Sequence, residues 1–366
     1  MKFVTTKEAM LRPLQQVAGV VERRQTLPVL ANVLISATED CAELTGTDLE
    51  VELTASVPLQ VEDPSKVTVP ARKLLDIWRQ LPETAEVTLS LDDEKVVVRA
   101  GRFRSALSTL PATDYPRPEL SAPEVSMDLA PGELRRLMDQ TSFAMAQQDV
   151  RFFLNGMLFE FGPTYVRTVA TDGHRLATAS VAAEVGGGVL KQVIVPRKGV
   201  SELQRLLGDV ESETVRVEIG ASHLRATADG VAMTTKLIDG RFPDYDRVIP
   251  RGGDIVAVID KADFAGMLAR IAILSNEKYR AVRVLLSEGS LSLSARNAEH
   301  EAAEESMPID FDGPDSEVGF NAVYLQDALG GIGGARVRVV LHSNGSAVIE
   351  DPDAEDALYV IMPMKL

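Results

Sequence analysis

One apolar pattern is written three times along this chain, and that limits its fold more than any other feature. Leu30-Ala31-Asn32-Val33-Leu34-Ile35 lies over Leu154-Asn155-Gly156-Met157-Leu158-Phe159, and both lie over Val282-Arg283-Val284-Leu285-Leu286. Val67-Thr68-Val69-Pro70-Ala71-Arg72-Lys73 lies over Val193-Ile194-Val195-Pro196-Arg197-Lys198, with Val318-Gly319-Phe320-Asn321 as a third copy. The offset is about 125 residues, a third of the 366, far longer than a solenoid repeat and the size of a small domain. A turn marks the same place in the first two copies. Val169-Ala170-Thr171-Asp172-Gly173-His174-Arg175-Leu176 is echoed by Gly46-Thr47-Asp48-Leu49. Asp-Gly favours a turn because glycine tolerates positive φ and aspartate hydrogen-bonds its own backbone.

Each third reads as strand, amphipathic helix, strands, second helix, strands. Helices show apolar residues at i, i+3, i+4, i+7: Leu74, Ile77, Trp78, Leu81; Leu134, Leu137, Met138 and then the polar Thr141; Phe264, Met267, Leu268, Ile271; and Leu325, Ala328, Leu329, Ile332. Asp260 and Pro131 mark helix starts. Met1–Val4, Glu86–Leu91, Val215–Ile219 and Arg336–Leu341 read as strands, with turns at Asp92-Asp93 and Asn344-Gly345. Each copy closes on a strand and a proline, at Pro111, Pro243 and Pro363, since proline donates nothing to a ladder. Pro111–Pro123 and Asp239–Asp254 read as linkers. The expected architecture is α+β, with three like domains at 1–122, 123–250 and 251–366.

No catalytic constellation emerges. There is no phosphate loop of the G-x-x-x-x-G-K-[ST] type and no H-E-x-x-H. Gly186-Gly187-Gly188 reads as a loop, and Gly330-Gly331-Ile332-Gly333-Gly334 as a helix end. His174, His223, His300 and His342 lack metal-ligand spacing. Glu299, Glu301, Glu304, Glu305 and Asp351, Asp353, Glu355, Asp356 read as solvated faces, so neither metal nor cofactor is expected. One cysteine, Cys41, excludes an internal disulfide and suits a reducing cytosol. No apolar run spans a bilayer, and no signal-type apolar core follows the first strand. These point to a cytoplasmic protein.

The charge is −16, from 54 acidic and 38 basic residues. That argues against a protein wrapped tightly by nucleic acid, unless the cations share one face. The helices do carry cations opposite their apolar stripes: Lys7, Arg12, Arg23 and Arg24; Arg72, Lys73 and Arg79; Arg135, Arg136, Arg197, Lys198 and Arg205; Lys261, Arg270, Lys278 and Arg280. Only the final helix lacks them. A basic surface of this kind can meet phosphates.

The whole chain resembles the bacterial DNA polymerase III beta subunits, the sliding clamps. The residues carrying the resemblance are Leu44–Glu50, Asp149-Val150-Arg151 with Leu154–Phe159, Thr168–Ala177 and Val195–Gly199. Asp239–Tyr245, Leu274–Lys278 and the terminal Tyr359-Val360-Ile361-Met362-Pro363-Met364-Lys365-Leu366 complete the set. The resemblance implies three clamp domains per chain and two chains joined head to tail in a ring, with helices lining the hole and sheets outside. It implies a protein that does no chemistry, encircles duplex DNA of any sequence, and tethers a replicative polymerase. A clamp loader and other proteins bearing a clamp-binding peptide are implied partners. Two rivals remain at this level: a clamp-like paralogue serving repair partners or sequestering an inhibitor, and an enzyme using Asp172, His174 and Arg175.

The resemblance also assigns residues. The partner-peptide cleft falls on Leu154, Thr171, Gly173, His174, Arg175, Leu176, Pro243, Arg247, Val248, Val360, Met362, Pro363, Met364 and Leu366. An apolar groove with adaptable methionines suits peptide side chains. DNA contacts fall on Arg24, Arg72, Gln148, Phe152, Phe153, Arg197, Lys198 and Arg205. Phe152 and Phe153 stand where many members have tyrosines, which implies stacking without hydroxyl contacts. The dimer edge falls on Lys73, Phe103, Leu107, Ile273 and Leu274, with Phe103 filling space that some members give to an aromatic at Ser105.

Overall fold

The computed structural model describes residues 1–22, 27–184, 190–253 and 255–365. Arg23, Arg24, the Gly186-Gly187-Gly188 loop, the linker end Asp254 and Leu366 lie outside the described residues.

The first third runs β1 (Lys2–Thr6), α1 (Lys7–Val20), β2 (Asn32–Ala37), β3 (Cys41–Thr47), β4 (Val51–Pro58), β5 (Val61–Asp63), β6 (Ser65–Pro70), α2 (Ala71–Gln80), β7 (Glu86–Asp92), β8 (Lys95–Ala100) and β9 (Phe103–Ser108). The middle third repeats this without a counterpart of β5: β10 (Val125–Leu129), α3 (Pro131–Asp139), β11 (Gly156–Phe161), β12 (Tyr165–Thr171), β13 (Arg175–Ala182), β14 (Lys191–Pro196), α4 (Arg197–Gly208), β15 (Val215–Ile219), β16 (His223–Ala228) and β17 (Val231–Lys236). The last third runs β18 (Ile255–Asp260), α5 (Lys261–Ala272), β19 (Ala281–Ser287), β20 (Ser290–Arg296), β21 (Ala302–Pro308), β22 (Ser316–Asn321), α6 (Ala322–Gly331), β23 (Arg336–Leu341), β24 (Ala347–Glu350) and β25 (Ala357–Ile361).

The helix stripes pack as their spacing predicts: Leu74, Trp78, Leu134, Leu137, Met138, Phe264, Met267, Leu268, Ile271, Leu325, Ala328 and Leu329 are all buried. Starts follow local chemistry. Thr6 Oγ1 accepts from Ala9 N at 3.1 Å, Asp260 Oδ1 from Asp263 N at 2.9 Å, and Pro131 opens α3, where its missing N–H costs nothing. The turn after β7 falls one residue later than expected, at Asp93-Glu94, because β7 runs on through Asp92 and Asp93 takes the positive φ of 52°.

The residues form two compact units, one holding 1–135 and 198–237, the other 136–197 and 238–366. The first contains an eight-stranded sheet, β10-β15-β16-β17-β4-β3-β2-β6, and a five-stranded one, β5-β1-β7-β8-β9. The second contains β14-β11-β12-β13-β25-β24-β23-β18 and β21-β20-β19-β22. Both eight-stranded sheets are antiparallel and combine strands from two successive thirds, joined at β4–β17 and β13–β25.

Two expectations about charge are corrected. Lys7 does not sit on a wet helix face: it is buried, and its ammonium donates to Leu81 O at 2.7 Å, Arg79 O at 3.3 Å and Glu83 Oε1 at 2.7 Å. Lys261, its counterpart in the last third, donates to Ile332 O at 2.8 Å. A cation at the start of one helix thus satisfies carbonyls at the C-terminal end of the other, where the helix dipole is negative. The acidic residues near the end of the chain are also more than a solvated face. Asp351 accepts from Gly334 N at 2.8 Å, Asp353 pairs with Arg336 at 3.1 Å, and Asp356 pairs with Arg136. Among the described residues no cluster of His, Cys, Asp and Glu is arranged to hold a metal ion.

Candidate functional site

The stretch from Thr171 to Arg175 is a turn fixed by its own side chains. Asp172 Oδ1 accepts from His174 N at 2.9 Å and Arg175 N at 3.0 Å. Thr171 Oγ1 donates to Arg175 O at 2.6 Å and accepts from Gly173 N at 3.1 Å. Gly173 takes φ 86°, which only glycine adopts at little cost. His174 O then accepts from Met362 N at 2.9 Å, so the turn holds the chain just beyond β25. One step further on, Met364 N donates to Gly319 O at 2.8 Å.

Beneath the turn lies an apolar cluster. Leu154, Leu176 and Val360 are buried in it with Val169, Phe242, Tyr245, Val340 and Val348. The linker is anchored by Phe242 and Tyr245, both buried, while Pro243, Arg247 and Val248 between and beyond them are exposed. Tyr245 is held by a polar group around buried Glu160. The Tyr245 hydroxyl donates to Glu160 Oε1 at 3.3 Å and accepts from Arg167 at 3.0 Å. Tyr165 donates to Glu160 Oε1 and Gln192 to Glu160 Oε2, both at 2.7 Å. The structure thus brings together a buried apolar floor and an exposed rim of Gly173, His174, Pro243, Val248 (49% exposed) and Met362, with Pro363 and Met364 half-buried. Arg247 is exposed and pairs with Asp244 at 2.8 Å.

Arg175 is not a free surface cation. Its side chain is 12% exposed. It donates to Asp172 Oδ2 at 3.1 Å and Asp327 Oδ2 at 2.5 Å, and to Phe143 O. It lies 4.3 Å from the Tyr324 ring centroid and 5.3 Å from that of Phe143. A guanidinium held between two carboxylates and two rings is a structural pin. Phe143, Tyr324 and Asp327 escaped the sequence reading. Tyr324 and Asp327 flank the apolar stripe of α6, and only the fold brings them to Arg175. A groove of 570 Å³ borders the same tail, where Met364 and Lys365 line it with Tyr279, Ala281 and Arg283.

The residues assigned to DNA have mixed surroundings. Arg197 donates to Met145 O at 2.6 Å, and burial, then the neighbouring Arg175 charge, lower its pKa. Lys198 pairs with Glu22 and Asp48. Burial alone would lower its pKa, but the two carboxylates outweigh it and the net shift is upward. Arg205 is held by Glu202 Oε2 at 2.6 Å and by Gln16 O at 3.2 Å. Arg72 donates to Val21 O at 3.1 Å. Gln148 has a positive φ of 55°. Phe152 is exposed and meets Phe153 edge-on at 5.7 Å, while Phe153 packs on the apolar cluster. At the other assigned surface, Lys73 and Phe103 are exposed, Ile273 is 76% exposed and Leu274 half-buried, and Leu107 is buried within its own unit.

Three family models match in sequence order. The DNA polymerase III beta subunit N-terminal domain covers residues 1–120, the central domain 128–244 and the C-terminal domain 246–365. The beta sliding clamp of Pseudomonas aeruginosa is 50% identical over the full length of both chains, and that of Escherichia coli 47%. A crystal structure of the P. aeruginosa clamp with ligand superposes with a TM-score of 0.97 over all of both chains. Another of that clamp, bound to griselimycin, gives 0.95, and Caulobacter crescentus pol III beta gives 0.94 at 37% identity.

Proposed function

Since the chain belongs to the DNA polymerase III beta subunit family and is a DNA sliding clamp, we propose that it encircles duplex DNA as a homodimer and tethers a replicative polymerase by a peptide docked beside Thr171–Leu176. It acts in the cytoplasm on DNA of any sequence, opened by a clamp loader, and catalyses no reaction. Its domains divide near residues 122 and 250. Among the described residues, no helix is long and apolar enough to cross a membrane.

The observation that carries this reading is the way the sheets are joined. β4 pairs with β17, and β13 with β25. In each case the third strand after the first helix of one third pairs with the final strand of the next. The rule leaves β21 and β9 without such a partner, and both are edge strands. An exposed edge is a template for pairing. β21 of one copy and β9 of another repeat the same joint, and two copies close on themselves through two heterologous contacts. Phe103 and Leu107 lie on β9, and Lys73, Ile273 and Leu274 are the proposed flanking contacts.

The cleft reading rests on the apolar floor of Leu154, Leu176 and Val360, with Met362 and Met364 at its rim. Burial of a partner's apolar side chains supplies affinity there, and Leu366 completes the assigned tail. The DNA reading rests on Arg24, Arg72, Gln148, Phe152, Phe153, Arg197, Lys198 and Arg205. Several of these cations already have protein partners, so direct phosphate contacts are few. A closed ring does not need them, because an endless duplex has no end to slip from. Binding by phosphate contact falls steeply with salt as counterions return. The test is to load the protein on nicked circular DNA with a clamp loader and ATP, then wash at high salt. It stays on the intact circle and leaves within minutes once the circle is cut. Release by salt from the intact circle overturns the proposal.

A further inference from the structure

The first unit contains a second copy of the turn-and-strand arrangement, matched bond for bond. Asp48 Oδ1 accepts from Glu50 N at 2.9 Å and Val51 N at 2.8 Å, as Asp172 does from His174 and Arg175. Thr47 Oγ1 donates to Val51 O at 2.9 Å and accepts from Leu49 N at 3.0 Å, as Thr171 does with Arg175 and Gly173. Lys236 N donates to Glu50 O at 2.9 Å, the bond that Met362 makes to His174. Leu49 even holds the positive φ, 81°, that Gly173 holds in the other unit. Tyr115 is buried, as Tyr245 is, and is anchored by a 3.0 Å bond to Thr45 O. Arg117 follows it as Arg247 follows Tyr245.

The geometry is kept and the chemistry is replaced. Glu50 stands for His174, Glu52 for Leu176, Thr234 for Val360 and Lys236 for Met362. These residues line a groove of 210 Å³ together with Leu49, Pro116, Arg117 and Pro118, a volume suited to one long side chain. Glu52 is the telling member. Its side chain is 7% exposed. Oε1 accepts a single N–H of Arg117 at 3.1 Å, while Oε2 is buried with no donor. A buried carboxylate oxygen without a donor is costly, and the carboxylate that carries it belongs to a residue lining the groove.

We propose that this groove binds an arginine side chain presented by an extended segment of a partner protein. The planar guanidinium offers several N–H groups in a fork that matches carboxylate geometry. One reaches Glu52 Oε2, and others face Glu50 and the Thr234 hydroxyl. Leu49, Pro116 and Pro118 cover the aliphatic stem, as apolar surface does for snorkelling cations. Burial, then the Asp48 carboxylate, raises the Glu50 pKa. Lys236 and His223 also line the groove, which favours a single cation over a polybasic run. The groove shares no residue with the apolar cleft of the second unit, so the two sites fail or stand separately.

The test uses the full-length ¹⁵N-labelled protein and capped tripeptides Ala-Arg-Ala, Ala-Lys-Ala and Ala-citrulline-Ala. The arginine peptide shifts the amide resonances of Leu49, Glu50, Thr234 and Lys236 saturably. Citrulline, with the same shape and no charge, binds at least about tenfold more weakly, as expected for loss of a charge-assisted hydrogen bond. Glu52→Gln weakens the arginine peptide by a similar factor. Lys236→Gln, at an exposed position, strengthens it. If Glu52→Gln fails to fold, Lys236→Gln and the citrulline peptide still decide. Equal binding of arginine and citrulline, preference for lysine, or no shift at these amides overturns the proposal.

Discussion

At the residue scale, the turn at Asp172-Gly173 was readable because aspartate and glycine each bring a local mechanism. Gly173 has φ 86°, and Gly173→Ala is expected to destabilise the protein by about 1 kcal/mol, measured by denaturant unfolding. An unchanged midpoint would show that the turn relaxes freely. What the sequence did not reveal is the fate of Arg175. A charged residue after a turn reads as surface, yet here three chain segments converge on it. The Glu160 group gives a second prediction. The hydrogen bond to Glu160, then burial, pushes the Tyr165 phenol up to about 12. A phenol raised in the fold contributes stability that is fully present below its ordinary value of about 10 and is lost as pH rises from there to about 12. Ultraviolet difference titration of wild type against Tyr165→Phe should show the Tyr165 phenol ionising in that window. Ionisation of Tyr165 at its ordinary pH would overturn the hydrogen-bond assignment.

At the scale of elements, the 3.6-residue stripes located the helices well, because burial is what makes a stripe necessary. The same reasoning put Lys7 on the wrong face. Periodicity registers where a side chain starts, and a lysine stem is long enough to carry its charge elsewhere. Lys7→Met should cost about 2 kcal/mol, since it leaves the Leu81 carbonyl without its buried donor. Lys261→Met should behave alike at Ile332. Thermal unfolding of both variants checks this, and two neutral results would show that these carbonyls do not depend on the lysines. Strand pairing between thirds was not legible either. Alternation shows which face of a strand is buried, but nothing in β4 announces that its neighbour is β17.

For the whole molecule, a net charge of −16 and helices bearing cations looked contradictory until the cations were traced to their partners. Lys198 and Arg205 hold carboxylates, and Arg197 holds carbonyls. Much of the apparent basic surface is internal wiring, which no count of lysines and arginines reveals. The seam carries the prediction at this scale. Ile273 is 76% exposed, an unusual position for an isoleucine unless a second copy covers it. Ile273→Ala with Leu274→Ala should remove on the order of one to three kcal/mol of burial per side chain and yield a folded monomer by light scattering. A dimer of undiminished stability would place the seam elsewhere.

The joint between thirds has a further consequence. Because β4–β17 and β13–β25 are one contact used twice, the free edges of a chain carry the means to go on adding chains. Only the angle turned at each joint decides whether the series closes. A change in a linker or strand twist that opens that angle would leave every joint intact and still forfeit the ends' meeting. The product would be a filament, assembled by the very pairing that otherwise ends assembly at two.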